Sequence, residues 1–396
     1  MTVYFRSCGA LDKAPTPRSE KDRDLYRYIT QRTGIEISID ASVDYEDWME
    51  PVCLLEATLR LGLEIKILPA IDLRKAVLKP IATIEGKPCR DMLIGRQLRS
   101  DPMNFMYFDF GWPSKSGELA NHYSELASFR RNAGRKLRLA DMPGDREGAG
   151  DRKVVFPGGA NSTPLGEAML DFANGECIVK QVYPGKSLPL CKYEVGADTT
   201  EKDAEQMFFD DVGFHFARFE GDPAALLVQE RVQMQHETRF FIINGKVVTA
   251  AACIEAHTPQ QNRGDLFDLT FEVDRNKGDI IQSRPIGKKL WNFAKKVVQE
   301  IGEEAPEMQH YVIDLATGAD GEPLVIELNP AAQSGLYAVH TKSMMQAIVE
   351  AAEAEPSRAP AYWDPEMVGE RSTPLLAKIK KADLVGALSD DTPYQD

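Results

Sequence analysis

Apolar positions spaced three and four apart in SEKDRDLYRYITQRT (19–33) and EDWMEPVCLLEATLRL (46–61) predict two helices. LEIKILP (63–69) reads as a short buried strand, ATIEGKPC holds the two-residue centre of a hairpin, and NFMYFDFGW alternates as a strand. In MPGDREGAGDRK (142–153) Gly, Asp and Arg crowd together without apolar periodicity, which marks a boundary. Beyond it the pattern predicts a strand at VVFP and a helix at TPLGEAMLDFA, with Thr163 as N-cap and Pro164 at the first helical position. ECIVKQV follows as a strand and residues 202–219 as a helix. Four strand-like segments come next, ALLVQERV, ETRFFIING, KVVTAAACIEA and LFDLTFEV, with ING as a tight hairpin signal. Helix GKKLWNFAKKVVQEIG (287–302) precedes strands HYVIDLA and PLVIELN, joined by the turn TGADGE. A helix over about 339–353 and a tail rich in Pro, Ser and charge complete the chain.

At 396 residues the chain exceeds the size at which single cores stop growing, so two or three packed domains are expected. The division expected is an α/β N-terminal domain over 1–145, whose role the sequence does not disclose, a second unit over 153–355, and an extension over 356–396. Hydrophobic content of 43% and charged content of 27% are ordinary for a soluble protein, and no run approaches a membrane span. MTVYFRSCGALDKAP has no apolar export segment, so a cytoplasmic location is expected. The six cysteines never pair at metal spacing and read as reduced structural thiols. A net charge of −14 argues against nucleic-acid binding; the basic stretch 128–153 reads as a solvated helix running into a Gly-rich linker.

Two familiar motifs fail. PGKS (184–187) ends like a phosphate-binding loop, but the glycine such a loop requires is replaced by Lys180. HETRF begins like a zinc-protease helix, yet Phe240 stands where the second histidine belongs.

The last two strands carry more. Glu327 and Asn329 are two apart and share one face, and the turn TGADGE brings Asp314 beside Glu327. Such residues suit a solvent-facing edge or, as hard oxygen donors on a stiff platform, Mg2+ with positions left for phosphates and water; adjacent acids repel without a cation. Upstream, Lys180 lies inside an apolar strand and Lys186 beyond a Pro-Gly turn, each a point cation suited to phosphates. Glu230 ends a buried strand, where main-chain groups can meet adenine. Glu237 and Arg239 share a face of the next strand, the first suited to ribose hydroxyls and the second to phosphates, and either taken separately also suits a cross-strand ion pair.

The order of VKQVYPGKS, the acid of QERV, ETRFFIINGKVV, HYVID and IELNPAAQSGLYAV resembles the ATP-grasp superfamily, most closely the clade named for one arginine and two lysines, over roughly residues 153–350. The resemblance implies an α+β ATP-grasp fold, two α+β subdomains holding ATP between antiparallel sheets, preceded by a smaller α/β domain. It places Lys180 and Lys186 on the phosphates, Glu230 and Val232 on adenine, Glu237 on ribose, and Asp314, Glu327 and Asn329 on Mg2+. Relatives often carry an arginine where this chain has Val312, so Arg239 or Arg263 is expected to do that work.

The implied activity is ligation of a carboxylate to an amine through an acylphosphate, releasing ADP and phosphate, with Arg239, Lys186 and Arg263 as the catalytic cations. A kinase and a non-catalytic Mg-ATP-binding assembly factor are the alternatives. The expected partners are small-molecule or peptide carboxylates and amines, and neither membrane nor nucleic acid; a homodimer is compatible with this reading.

Overall fold

The computed structural model describes residues 2–6, 11–68, 83–84, 87–88, 92–96, 106–109, 120, 123–141, 163–183, 190–216, 225–274, 278–331 and 334–354. The expected boundary at 142–153, the strand at VVFP, Lys186 and the tail lie outside these residues.

The N-terminal part comprises β1 (Thr2–Arg6), β2 (Lys13–Ala14), α1 (Glu20–Thr33), β3 (Ser38–Ile39), α2 (Tyr45–Arg60), β4 (Glu64–Leu68), β5 (Thr83–Ile84), β6 (Lys87–Pro88), β7 (Met92–Arg96) and β8 (Met106–Asp109). A four-stranded sheet runs β4-β1-β7-β8, with β1 parallel to both neighbours. Ser19 and Asp22 cap α1 reciprocally: the Asp22 N–H donates to Ser19 Oγ at 3.2 Å and the Ser19 N–H to Asp22 Oδ2 at 3.0 Å.

Next come α3 (Ala127–Asn132), β9 (Leu137–Asp141), β10 (Thr163–Pro164), α4 (Leu165–Leu170), β11 (Gly175–Tyr183), β12 (Cys191–Val195), α5 (Glu201–Phe216) and β13 (Ala225–Glu230). They form a five-stranded sheet, β10-β9-β13-β11-β12, whose apolar face is closed by α4 and α5 through Leu165, Met169, Phe208 and Val212. The helix predicted to start after Thr163 starts later: Pro164 takes the N-cap without a side-chain bond, because Thr163 and Pro164 pair with β9.

The last lobe holds β14 (Met234–Ile243), β15 (Lys246–Ala252), β16 (Thr270–Glu272), β17 (Ile280–Gln282), α6 (Arg284–Glu304), β18 (Tyr311–Gly318), β19 (Pro323–Pro330) and α7 (Thr341–Ala354). The sheet β15-β14-β18-β19 is antiparallel. Asn244 and Gly245, at φ 51° and 66°, make the two-residue turn between β14 and β15. LFDLTFEV, predicted as one strand, pairs regularly only over β16; Phe267 makes a single bridge to Ala250, and buried Asp268 turns its carboxylate to the Thr270 N–H instead.

One face of this sheet packs on α6 and α3 through Phe240, Ile313, Leu328, Leu290, Val297 and Phe129. The other packs on α7 and on the N-terminal helix α2 through Phe241, Val312, Met345, Leu54 and Leu55. The basic stretch read as a solvated helix is instead half interior: Phe129 is 0% exposed in α3, and Leu137–Asp141 forms β9. Among the described residues no helix is long and apolar enough to cross a membrane.

His310, just before β18, accepts from the Asn244 N–H at 3.2 Å through Nδ1. Burial pushes its pKa from 6.5 down to about 4. The folded state therefore prefers the neutral ring. Stability is full above pH 6.5 and is lost as pH falls toward 4, by about 3 kcal/mol in all. His310→Gln is expected to flatten the dependence of melting temperature on pH in that window; an unchanged slope would assign it to other groups.

Candidate functional site

Both lobes meet at β19. In the β18–β19 ladder Asp314 faces Glu327 and Leu315 faces Val325, so Ile326 is an extra residue, a bulge on β19. The bulge changes the phase of the strand. Val325 and Leu328 both join the α6 core, whereas Glu327 and Asn329 emerge on the face that also carries Asp314. Asn329 Nδ2 stands 3.2 Å from Asp314 Oδ2 and 3.1 Å from Glu327 Oε1, so the amide lies between the carboxylates.

Arg239, opposite Asp314 across the β14–β18 pair, grips it with two parallel hydrogen bonds of 2.8 Å, from Nε to Oδ1 and from Nη2 to Oδ2. Asp314 is 1% exposed. Burial alone would push the Arg239 pKa down; the Asp314 charge more than offsets this and holds it above its ordinary value. Arg239 Nη1 also donates to the Gly335 carbonyl at 3.3 Å, and its guanidinium lies 5.1 Å from the Tyr337 ring centre.

From the other sheet, Lys180 on β11 reaches across and donates to Glu327 Oε2 at 3.3 Å, with the Tyr123 ring 5.5 Å away. Burial depresses the Lys180 pKa, and Glu327 partly restores it. The connection between the sheets is residues 231–233, directly after Glu230. Val232 and Met234 there pack on Ala316, Leu324 and Ile326. Along β18, moving away from this connection, an apolar patch thus gives way to a polar platform.

Glu230 is exposed and accepts from the Lys136 N–H at 3.1 Å. Glu237 lies on β14 near Tyr337, toward which its charge acts together with those of Asp314 and Arg239. Arg263 is exposed in the loop after β15, where its charge acts on Asp268.

Sequence reasoning passed over Arg135. Its Nη1 donates to Ala133 O at 2.8 Å and Val325 O at 2.7 Å, and its Nη2 to Ile326 O at 2.8 Å and Gln229 Oε1 at 3.3 Å. Burial lowers its pKa to about 10, so it stays charged at neutral pH. No sequence motif marks this arginine; only the bulge it serves does.

Among the described residues no group of three His, Cys, Asp or Glu is arranged to hold a metal. The platform offers two carboxylates and one amide, all hard donors, and Asn329 needs only a turn of its amide to present oxygen. That set fits Mg2+ whose remaining positions come from phosphates and water, and it is too small to make a closed all-protein cage.

Residues 194–348 match an ATP-grasp domain family, the third of the clade named for one arginine and two lysines. Similar solved structures include D-cycloserine synthetase DcsG (13% identity, covering 88% of this chain and 99% of that one, TM-score 0.43). A D-alanine–D-alanine ligase from Bacillus anthracis is 10% identical, covering 90% and 98%, with a TM-score of 0.36. The ATP-grasp ligase PsnB, complexed with minimal precursor, Mg and ADP, is 13% identical, covering 88% and 97%, with a TM-score of 0.35. No curated protein matches the sequence. Residues 194–348 are an ATP-grasp domain of the one-arginine, two-lysine clade.

Proposed function

We propose that the protein is an ATP-dependent, ADP-forming ligase that joins a carboxylate to an amine. The observation that carries this reading is the meeting of Lys180, from one lobe, with Glu327, Asp314 and Asn329 on the other, 3.3 Å apart at the closest pair. A lysine and an oxygen platform brought together from two sheets would border a nucleotide slot with both charges a triphosphate–magnesium complex requires.

The hinge end of the slot is apolar, at Val232, Ala316, Leu324 and Ile326, and suits an adenine ring, with the Glu230–Val232 main chain on its edge. Glu237 is assigned to the ribose hydroxyls. Lys180 neutralises phosphate oxygens, and Lys186 is assigned to the same task. Asp314, Glu327 and Asn329 would hold the magnesium, which when bound neutralises the charge developing on the transferred phosphoryl group. Arg239 holds Asp314 in place through its two hydrogen bonds, and its Nη1 edge, with Gly335, faces the outer end of the platform. A side chain at Gly335 would stand 3.5 Å from Glu50 Oε1 and 3.7 Å from Glu46 Oε1, so α2 closes that end. Arg263 is assigned to the substrate carboxylate on the loop that docks beside α2.

A substrate carboxylate oxygen attacks the γ-phosphorus as the bond to the bridging oxygen of ADP breaks. The amine then attacks the acyl carbon, phosphate leaves with the carbon–oxygen bonding pair, and the proton the amine loses ends on that phosphate. No protein nucleophile is needed, since binding and orientation carry the chemistry.

The test is incubation with Mg-ATP and pooled amino acids and short peptides, followed by mass spectrometry. ADP, phosphate and a condensed species in equal amounts are expected. A stable phosphorylated product with no second substrate consumed would make the protein a kinase, and tight Mg-ATP binding without turnover across the panel would make it a nucleotide-dependent binding factor.

A further inference from the structure

We infer that Arg135 is the positioning residue of this site: it fixes the β19 bulge that aims Glu327, and it ties the two sheets together, without contacting the nucleotide. The inference rests on the reading of Glu327 as a magnesium ligand.

A bulge leaves main-chain groups outside the ladder, and buried carbonyls without donors are costly. Here the carbonyls of Val325 and Ile326 lie immediately before Glu327, and both accept from the Arg135 guanidinium, at 2.7 and 2.8 Å. One planar fork meeting two successive carbonyls holds them in one geometry, which a lysine's single point donor cannot do. Nε is buried without an acceptor, so the side chain is held by its Nη groups alone. The second Nη also reaches Gln229 on β13, in the other sheet, at 3.3 Å. Arg135 thus supplies a crossing between the lobes beside the 231–233 connection.

The segment that carries it is pinned at both ends. Glu304 on α6 accepts the N–H groups of Ala127 and Ser128 at 2.7 and 2.8 Å, and Glu300 accepts from Asn132 at 2.6 Å. On the other side Lys136 and Glu230 exchange a pair of bonds, 3.0 Å from the Glu230 N–H to Lys136 O and 3.1 Å from the Lys136 N–H to Glu230 Oε2. Gly134, at φ 65°, lets the chain pass so close to β19 that an added Cβ would meet Leu324 Cβ at 2.8 Å. Each feature brings the guanidinium to the bulge. Without it, β19 can return to strict alternation, and a one-residue slip sends Glu327 to the opposite face of the sheet.

The experiment compares wild type with Arg135→Met and the milder Arg135→Lys, which keeps a cation of similar reach. Amide hydrogen exchange of the nucleotide-free protein is read first: at least tenfold faster exchange over Ile326–Leu328 is expected in both variants. Exchange equal to wild type's overturns the inference. Calorimetry then measures ADP binding with and without Mg2+. The gain in ADP affinity from Mg2+ is expected to fall at least tenfold in Arg135→Lys, while the affinity without Mg2+ stays within twofold. Equal losses with and without Mg2+ would mean that Arg135 touches the nucleotide, and would also overturn it. If wild type itself shows no Mg2+-dependent ADP binding, the proposed function fails, and the clamp on the bulge is decided by the exchange data alone.

Discussion

Glu327→Gln should reduce Mg2+-dependent ATP consumption by roughly 10²–10³-fold or more, the loss typical of removing one preorganised electrostatic group from a reacting centre. Gln has nearly the same volume and keeps one oxygen, so Lys180 retains an acceptor while the contact to Asn329 is lost. The negative charge disappears as well. In the wild type that charge partly restores the pKa of Lys180, which burial depresses. Without it burial acts with less opposition, and the lysine becomes a weaker cation in the slot just as the platform loses a ligand. ATP affinity measured without Mg2+ should therefore fall less than affinity measured with it. A variant that consumes ATP at the wild-type rate, with the wild-type requirement for Mg2+, would remove Glu327 from the metal site.

Period and punctuation made most of the second half of the chain legible. HYVIDLA and PLVIELN are apolar runs too short for helices and are joined by a Gly-Asp turn; they form β18 and β19. Alternation by two also places Glu327 and Asn329 on one side, where the structure has their side chains 3.1 Å apart. The bulge was hidden, because nothing in LVIE marks Ile326 as the unpaired residue; the group that meets its carbonyl is an arginine almost two hundred positions upstream (191 by sequence separation). Arg135 was hidden for the converse reason. SFRRNAGRKLRLADMP reads as a basic, solvated surface, and charge alone does not separate an arginine bound for water from one bound for buried carbonyls. LFDLTFEV failed as a strand because its apolar residues serve a loop: Phe267 packs near Phe240, Phe271 and Trp291, at ring-centre distances of 5.5–6.0 Å, while Asp268 turns the chain. The packing of α2 against the C-terminal sheet was equally invisible, since its apolar face fits any flat partner and only long-range topology selects one.

Arg239→Met is expected to destabilise the protein by about 3–5 kcal/mol, the scale for breaking a buried ion pair from one side. Asp314 is 1% exposed and Arg239 12%, so the carboxylate cannot recover the lost interactions from water. Two of the bonds at Asp314 are charge-assisted and both come from this one guanidinium, leaving Asn329 as its other donor. The same substitution frees the Gly335 carbonyl and takes the cation from beside Tyr337, so the loop at 334–337 should exchange its amides faster. Replacing both partners, Arg239→Met with Asp314→Leu, should recover most of the stability, because two apolar side chains of similar size leave no stranded charge. Chemical denaturation of the four proteins gives the coupling energy directly. Stability recovered in the double variant, with Mg2+-dependent nucleotide binding still absent, would separate the two duties of the pair: Arg239 holds Asp314 in the fold, and Asp314 so held serves the magnesium. A single Arg239→Met variant as stable as wild type would show that Asp314 gains its stability elsewhere, and that Arg239 is free to act on the phosphates instead.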